Sequence, residues 1–544
     1  MFQDLRLCRR IVFGAVAGWA MLFALFTNHT WEDYFITYRA SKNLATGHGL
    51  VFTPGEKLHT FTSPIGVLLP ALLNVATGDS SDALVLWLFR LAGAAALGGA
   101  AALLLTVARR AGLNGWAQWL LVGMFGLDPK IVGFSINGME TPFVLLFLAL
   151  TIEAWTGPRE RCVVKLGLAW AGLMWTRPDS FLYIGALAAG WWLFGVTGPA
   201  AGNRRDMLPL FLKAGLVTTG VYLPWMLWAH WYYGSAIPHT VVAKALGKPP
   251  LALLEFLQGV ALFPLRALTI GNTTVDNTFQ PAYVWYEGWH YSVMTWARWL
   301  AMPCALYWLL PFARPHGRAA SFTFFTGHLF LTDIARLSYP WYLPVLELLG
   351  LWVLADLCQQ GFSLARGFLA ANAARQRQVL AVLRVAIVAA LAAQVLLALS
   401  VAWQLRHQQR LVEEGVRKEL GLWLAQHAAS PRDTVFLESL GYIGFYSQLK
   451  MYDFPGLASR EVVAARARLR SDNWTRLIRE LKPDWVVLRG YEVANLAGAD
   501  PGLLTREYRE VKRFDATPQI EAIRWLPGRG YLLIDATFVV FRRL

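Results

Sequence analysis

Long apolar runs recur along this chain and constrain its fold more than any other feature. The first covers 11–26, and the next full-length run covers 83–108. Hydrophobic residues make up 56% of the sequence and charged residues only 16%, whereas a soluble chain carries about a quarter charged residues. Runs of about 17 to 25 apolar residues are typical of membrane-spanning helices. The sequence therefore predicts a polytopic α-helical membrane protein.

The positions of the basic residues predict how the chain is oriented in the membrane. Arg6, Arg9 and Arg10 precede the first run, and Arg109 and Arg110 end the second. Lys and Arg collect in cytoplasmic loops, so we expect a cytoplasmic N-terminus and about eleven spans, with the C-terminus outside. The run at 64–75 is too short to span and is expected to form an interfacial helix. Further spans are predicted near 115–127, 141–155, 164–176, 181–197, 209–229, 293–312, 319–334, 341–357 and 379–403.

The character of the sequence changes near residue 403. Residues 1–403 are predicted to form the transmembrane domain, with outer loops at 28–62 and 230–291 and a short outer stretch near 128–137. From 404 to 544 the charges are mixed and the apolar runs are short. There "DTVFLES", "WVVLRG" and "YLLIDATFVVFRR" are typical of strands, and 461–481 has helical spacing. We expect a small periplasmic α/β domain in this region.

The sequence predicts no certain cofactor and no nucleic-acid partner. It has no zinc-type spacing, no P-loop and no dinucleotide fingerprint, and its cytoplasmic loops are too short for a nucleotide-binding domain. The formal net charge of +15 is explained by cytoplasmic loops rather than by nucleic acid. Glu32 and Asp33 could ligate one divalent cation, but no other oxygen cluster completes the shell.

The loop behind the first span contains two adjacent carboxylates. Glu32 and Asp33 are followed at helical spacing by Arg39 and Lys42, then by the Gly- and Pro-rich "TGHGLVFTPGE" and by "FTSP". Adjacent carboxylates repel each other, so one of them can have a raised pKa and act as a general base. The alternative is that both acids cap the first turn of an interfacial helix.

This loop resembles the first periplasmic loop of bacterial GT-C superfamily glycosyltransferases, in particular their polyprenyl-phosphate arabinofuranosyltransferase-like branch. The matching residues are Glu32, Asp33, Phe35, Ile36, Tyr38, Arg39, Asn43, Leu44, Gly47, Gly49, Val51, Phe52, Pro54, Gly55, Glu56, Thr62, Ser63 and Pro64. The likeness continues in "NGMETPFV", "TRPDS", "YYGSAIPHTVVAK", "YPWYLP" and "LGYIGFYSQLKMYDFPGL". The branch usually has Asp-Asp where this chain has Glu32-Asp33.

The resemblance implies an enzyme of the cell envelope in the bacterial inner membrane. It would transfer a sugar, such as the pentofuranose arabinofuranose, from a polyprenyl phosphate to an acceptor hydroxyl on the periplasmic face. The acceptor would be a glycan, a protein or a lipid. Asp33 is preferred over Glu32 as the base, and positive side chains would hold the lipid phosphate, whose charge grows as the bond breaks.

Several outer residues are candidates for contact with the donor phosphate or sugar. They are Arg39, Lys42, His59, Thr62, Ser63, Glu140, Arg177, Asp179, His239, Lys244, Arg336 and Tyr339. Both histidines have an alternative as hydrogen-bonded loop residues.

Four of these candidates have a specific alternative. Arg177 can simply pair with Asp179, and Arg336 can anchor the chain at the membrane interface beside aromatic residues. Lys244 can lie on a mobile loop that contacts lipid head groups. Glu140 can cap the helix that follows it, since Pro favours the first helical turn.

Two other classes of function compete with the transferase. A transporter or flippase for polyprenyl-linked sugars predicts acids at mid-membrane and an internal repeat of the spans. A non-catalytic envelope assembly protein explains the C-terminal region but leaves the first loop unexplained. The candidate residues cluster on one face of the membrane, which favours the transferase.

Overall fold

The structure is a computed structural model. It describes residues 4–158, 160–199, 202–248, 252–268, 275–282, 287–336, 339–368 and 372–544. Part of the predicted loop at 230–291 therefore lies outside the described residues.

Helices dominate the first three quarters of the chain. They are α1 (Leu5–Thr27), α2 (Glu32–Ala45), α3 (Pro64–Ala76), α4 (Asp82–Arg110), α5 (Gly115–Leu127), α6 (Pro129–Ile136), α7 (Thr141–Thr156), α8 (Cys162–Thr176), α9 (Phe181–Phe194), α10 (Arg204–Tyr233), α11 (His239–Ala245), α12 (Leu253–Leu268), α13 (Tyr291–Leu306), α14 (Pro315–Leu329), α15 (Leu343–Phe368) and α16 (Ala373–His407).

The predicted polytopic membrane fold is confirmed. A helix lies at each predicted span, and five of the described helical segments are by themselves long and apolar enough to cross a membrane. These segments are Leu5–Thr27, Asp82–Arg110, Arg204–Tyr233, Pro340–Gly367 and Ala373–His427. The pair α5 and α6, bent by 47°, makes a sixth if it forms one span.

Two predicted outer loops contain more helix than expected. Residues 128–137 hold the buried helix α6, whose first turn is capped by the Asp128 side chain. The described part of 230–291 contains α11 and α12.

Small residues bring the central helix α4 close to its neighbours. A Cβ at Gly98 would lie 2.8 Å from the backbone oxygen of Phe13 on α1. Close approach of backbones through small residues is the usual way in which helices pack within membranes. Helix α4 therefore packs directly against α1.

The first outer loop is closed by local hydrogen bonds. The side-chain amide of Asn43 donates to the carbonyls of Val51 (2.8 Å) and Phe52 (3.0 Å). Ser63 caps α3, accepting the N–H of Gly66 at 2.9 Å, and a proline opens the helix. The predicted short helix over 64–75 is thus present as α3.

The C-terminal region forms the expected small α/β unit. Its elements are a π-helical segment (Gln408–Lys418), α17 (Glu419–His427), β1 (Thr434–Leu437), α18 (Gly441–Ser447), β2 (Lys450–Asp453), α19 (Arg460–Leu469), α20 (Trp474–Leu481), β3 (Trp485–Arg489), α21 (Gly490–Ala499), β4 (Tyr508–Asp515), α22 (Thr517–Glu521), α23 (Arg529–Ile534) and β5 (Thr537–Arg543).

The five strands have the order β2-β1-β3-β5-β4. Strand β1 is parallel to β2 and β3, whereas β5 is antiparallel to β3 and β4. The prediction that all of "YLLIDATFVVFRR" is a strand is wrong, because "YLLI" belongs to α23 and only the second half forms β5. Strands β2 and β4 were missed because β2 has four residues and β4 is largely polar.

The last span continues without a break into the C-terminal unit. One helical segment runs through Ala373–His427 and includes the π-helical turns. The predicted domain boundary at residue 403 lies inside this segment. Because a continuous helix joins the two parts, the sheet is held next to the outer ends of the spans.

Candidate active site

A cavity of about 720 Å³ lies between the first outer loop and the C-terminal unit. This volume is in the range of small-molecule binding sites. The membrane part contributes Trp31, Glu32, Asp33, Tyr339 and Trp341, and the π-helical segment at the start of the C-terminal unit contributes Gln408 and Glu413. The C-terminal unit contributes Arg417, Glu438, Phe454, Pro455, Asn473, Trp474, Thr475, Arg489, Tyr491, Glu492, Asn495, Leu496, Ala499, Tyr531, Ile534 and Asp535.

Asp33 is the open carboxylate of this cavity. It lies in the first turn of α2 and lines the cavity, and no described residue forms a hydrogen bond or ion pair with its carboxylate. Burial raises the pKa of Asp33, and nearby Lys244 and Arg177 oppose that shift. A carboxylate of this kind is suited to accept a proton.

Glu32, in contrast, is held by the C-terminal unit. Its Oε1 accepts the N–H of Gly441 at 3.1 Å, and its Oε2 lies 3.3 Å from the Arg417 guanidinium. Burial raises the pKa of Glu32 to about 8. Both acids lie in the first turn of α2, as the capping alternative expected, but the cap position itself is Trp31 and carries no side-chain cap bond.

Arg417 is the buried centre of an ion-pair cluster that the sequence analysis missed. Besides Glu32, its guanidinium contacts Glu413 at 2.8 Å and Asp535 at 2.7 Å. Its side chain is only 4% exposed. No motif surrounds Arg417, and its partners are distant in sequence apart from Glu413, so no local signal could have identified it.

A second arginine extends the cluster along the cavity wall. Arg489 contacts Asp535 at 2.5 Å, Glu492 at 2.7 Å and Glu438 at 2.6 Å. Asp535 thus bridges Arg489 to Arg417. Since each guanidinium is shared by three carboxylates, neither has charge to spare for an anionic ligand.

The unpaired cation near Asp33 is Lys244. It is half-buried on α11, and its ammonium lies 5.3 Å from the centre of the Tyr339 ring. Among the described residues it has no ion-pair partner within contact distance, while Asp33 acts on it electrostatically. Burial lowers the pKa of Lys244. The structure therefore brings the predicted residues Asp33, Lys244 and Tyr339 together.

Arg177 also lies near Asp33, but its charge is already balanced. It contacts Glu140 and Asp179, each at 3.1 Å, and its guanidinium lies 4.4 Å from the centre of the Tyr342 ring. The alternative that Arg177 pairs with Asp179 thus describes the structure. Glu140 occupies the N-cap position of α7, as the capping alternative expected, but its side chain makes no cap bond and pairs with Arg177 instead.

Arg39 and Lys42 lie away from the cavity. The buried Arg39 guanidinium donates to the carbonyls of Gly444 (2.7 Å), Gln448 (3.1 Å) and Leu449 (3.2 Å). The predicted donor contact of Arg39 is therefore replaced by a structural role at the end of α18. Lys42 pairs with Asp82 at 2.8 Å, so it too is used in the fold.

The remaining predicted residues contact other parts of the protein. His59 is buried and stacks on Tyr233 at 4.6 Å, and the His239 ring lies 3.4 Å from the Ser459 carbonyl. Arg336 lies 3.8 Å from Glu255. Thr62 is half-buried directly before the α3 cap Ser63. None of these four predicted ligands lines the cavity.

The two carboxylates of the first outer loop are not arranged to bind one divalent cation together. Glu32 is engaged by Arg417 and Gly441, which leaves Asp33 alone. Within the part of the chain that the structure describes, no group of three or more His, Cys, Asp or Glu side chains is placed to hold a metal ion.

Known proteins resemble this chain in three ways. Residues 402–536 match a family model described as "Domain of unknown function (DUF8728)". A "Terminal beta-(1->2)-arabinofuranosyltransferase" from Corynebacterium glutamicum is 27% identical over 267 residues, which cover 43% of this chain and 35% of that relative. The match therefore spans about a third of the relative's length.

The third likeness is structural. The crystal structure of ArnT from Cupriavidus metallidurans bound to undecaprenyl phosphate matches with a TM-score of 0.50 and 13% identity, covering 98% of this chain and 97% of that chain. The ArnT structure confirms the predicted GT-C-type fold. The Corynebacterium glutamicum relative confirms the predicted likeness to arabinofuranosyltransferases.

Proposed function

We propose that this chain is an integral-membrane glycosyltransferase that moves a sugar from a polyprenyl phosphate to an acceptor hydroxyl at the outer membrane face. The observation that carries this proposal is the open Asp33 carboxylate, which lines the cavity and lies close enough to the unpaired Lys244 for the two to interact electrostatically. The ArnT-like fold supports the proposal, since that neighbour was crystallised with undecaprenyl phosphate.

In the proposed reaction Asp33 is the general base. It accepts the proton of the acceptor hydroxyl while the hydroxyl oxygen bonds to the anomeric carbon of the donor sugar. The bond from that carbon to the phosphate oxygen breaks, its electron pair stays on the phosphate, and the polyprenyl phosphate leaves. No nucleotide or oxidant is needed, because the donor already carries its leaving group.

Lys244 is proposed to bind the donor phosphate. Negative charge grows on this phosphate as the bond breaks, and a cation fixed beside it stabilises that charge. Arg177 is the less suitable cation, because Glu140 and Asp179 already pair with it. Tyr339 lies under the Lys244 ammonium and limits its freedom.

The sugar is proposed to be a pentofuranose such as arabinofuranose, with the arabinofuranosyltransferase relative as support. The acceptor glycan, protein or lipid would enter along the wall formed by Trp474, Tyr491 and Asn495. Aromatic faces and amides suit a polyhydroxylated ligand. The proposed location is the bacterial inner membrane, with a cytoplasmic N-terminus and residues 404–544 in the periplasm.

Sugar transfer in lipid nanodiscs tests this function. Wild-type protein is given polyprenyl-phosphate arabinofuranose with a radiolabelled sugar and a panel of neutral glycan, protein and lipid acceptors. We expect label on an acceptor and release of polyprenyl phosphate. Lys244→Met should raise the KM for the donor roughly 10- to 100-fold, which corresponds to losing one hydrogen bond to a charged group.

Lys248→Met is the matched control, because the Lys248 ammonium donates to the carbonyl of Ala335 at 3.0 Å. Its donor KM should equal that of wild type. Donor that binds without being transferred to any acceptor, or equal donor KM values for Lys244→Met and wild type, would contradict the proposal.

A further inference from the structure

The first turn of α2, which carries Asp33, is held by the C-terminal unit. Glu32 accepts a backbone hydrogen bond from Gly441, and its Oε2 lies 3.3 Å from the Arg417 guanidinium. Both partners lie beyond the last predicted span. Glu32 thus joins the first outer loop to the region, 402–536, that matches a family model described as a domain of unknown function.

Gly441 allows an unusually close approach to this turn. A Cβ at Gly441 would lie 2.1 Å from the Glu32 carbonyl oxygen and 2.6 Å from its Cγ. Any side chain at this position therefore forces α18 and α2 apart. The backbone of α18 therefore packs directly against Glu32 and fixes the position of this residue.

Arg417 is itself fixed from the sheet side. Asp535, just before β5, contacts Arg417 at 2.7 Å and Arg489, at the end of β3, at 2.5 Å. Breaking a buried ion pair leaves an uncompensated charge, which is strongly unfavourable. The position of Arg417, and with it the direction of Glu32, is therefore set by the strands.

We propose that Arg417 is a positioning residue, which anchors Glu32 and thereby aims Asp33 into the cavity. Consecutive side chains on an α-helix point about 100° apart. Holding Glu32 against Arg417 consequently turns Asp33 away from the cluster, so that it lines the cavity and interacts electrostatically with Lys244. The C-terminal unit is then part of the catalytic apparatus; the inference rests on the proposed function.

The geometric role of Arg417 can be separated from its charge. Arg417 also lowers the pKa of Asp33 through space, so removing the charge should move the acid limb of the pH–rate profile to higher pH. A lysine keeps the charge but not the rigid fork that reaches three carboxylates. The other charged or titratable groups that act on Asp33 or are acted on by it are Lys244, Arg177, Glu438, Glu140 and Tyr339.

Transfer kinetics of Arg417→Gln and Arg417→Lys in nanodiscs test the proposal. We expect kcat to fall roughly 100-fold in Arg417→Gln, the size of effect that a misplacement of about 1 Å produces, with the donor KM within about 2-fold of wild type. The acid limb should shift upward in Arg417→Gln and stay in place in Arg417→Lys, whose kcat is still reduced. The control is Arg468→Gln, because Arg468 is 61% exposed and pairs with Glu480.

A readout that needs no activity accompanies the kinetics. Hydrogen–deuterium exchange of the peptide covering 28–45 should speed up in Arg417→Gln and stay unchanged in Arg468→Gln. Gly441→Ala should produce the same faster exchange and the same loss of kcat without removing a charge, so it carries the test if Arg417→Gln does not fold.

Each outcome separates the two proposals. Wild-type transfer with unchanged kcat and exchange in Arg417→Gln overturns the positioning role and leaves the proposed function intact. Absence of transfer by wild type overturns the proposed function, while the exchange data still decide whether Arg417 anchors the first turn of α2.

Discussion

Replacing Arg39 with methionine tests whether this residue serves the fold rather than the donor. Its side chain is buried, with 1% exposed, and its guanidinium donates to the carbonyls of Gly444, Gln448 and Leu449 at the C-terminal end of α18. It also lies 4.3 Å from the centre of the Phe52 ring. The methionine keeps most of the apolar stem but none of these donors.

The size of the effect follows from the contacts. A hydrogen bond to a charged group contributes about 1.5–3 kcal/mol, and an unsatisfied buried carbonyl costs about 1–3 kcal/mol. The three carbonyls belong to one hydrogen-bond network, so their contributions to stability do not simply add. We therefore expect the free energy of unfolding to fall by about 3–6 kcal/mol. Because the entropy of unfolding is about 2.1 cal/mol/K per residue, a chain of 544 residues should lose about 1 °C of Tm per kcal/mol. Tm should therefore fall by roughly 3–6 °C.

Thermal unfolding of purified protein in detergent measures this change. Arg39→Lys should recover only part of the loss, because an ammonium lacks the planar fork. Arg513→Met is the control: Arg513 is 50% exposed, it pairs with Glu510 at 3.1 Å, and surface pairs contribute about 0–1 kcal/mol. An unchanged Tm together with a raised donor KM in Arg39→Met would contradict the structural role of Arg39 and place it at the donor site.

Three further predictions concern the outer face. Gly138 has φ +96°, and a Cβ there would lie 2.5 Å from the Tyr34 ring, so Gly138→Ala should lower the yield of monodisperse protein in size-exclusion chromatography. Lys42→Met breaks a half-exposed pair with Asp82, and it should change stability by no more than about 1 kcal/mol and leave transfer unchanged. Burial raises the pKa of Glu32 from 4.5 to about 8. The proton bound to Glu32 therefore stabilises the folded protein fully below pH 4.5, and this contribution to the free energy of unfolding is lost as the pH rises through 8. Tm should therefore decline less steeply over this range in Glu32→Gln than in wild type; equal slopes would contradict the shift.

The features that could be predicted from the sequence are those whose interacting residues lie close together in the chain. Two adjacent acids behind an apolar run placed Glu32 and Asp33 at the start of a helix, and Ser63 before Pro64 marked the start of α3. The pairing of Arg177 with Asp179 also follows from their spacing. In each case the interacting groups lie within a few residues of one another, where helix and turn geometry fix the outcome.

The rest depends on contacts between distant segments. Gly441 meets Glu32 across 409 residues of sequence, and no periodicity or motif reports such a pairing. Arg417 and Asp535 have the composition of an ordinary charged surface until the sheet buries them. The same limit explains why Arg39 was assigned to the donor: its helical spacing was visible, but the carbonyls that it reaches were not.

The most direct test of Asp33 as the general base compares Asp33→Asn with Glu32→Gln in single-turnover sugar transfer, with donor binding measured in parallel. Asp33→Asn should bind the polyprenyl-phosphate sugar like wild type but transfer it roughly 10²- to 10⁴-fold more slowly, the range for a lost general base. Glu32→Gln should keep measurable transfer, because Glu32 positions the turn and does not take the proton. Transfer by Asp33→Asn at the wild-type rate would contradict the role of Asp33 as the general base. Loss of transfer in Glu32→Gln alone would contradict it as well.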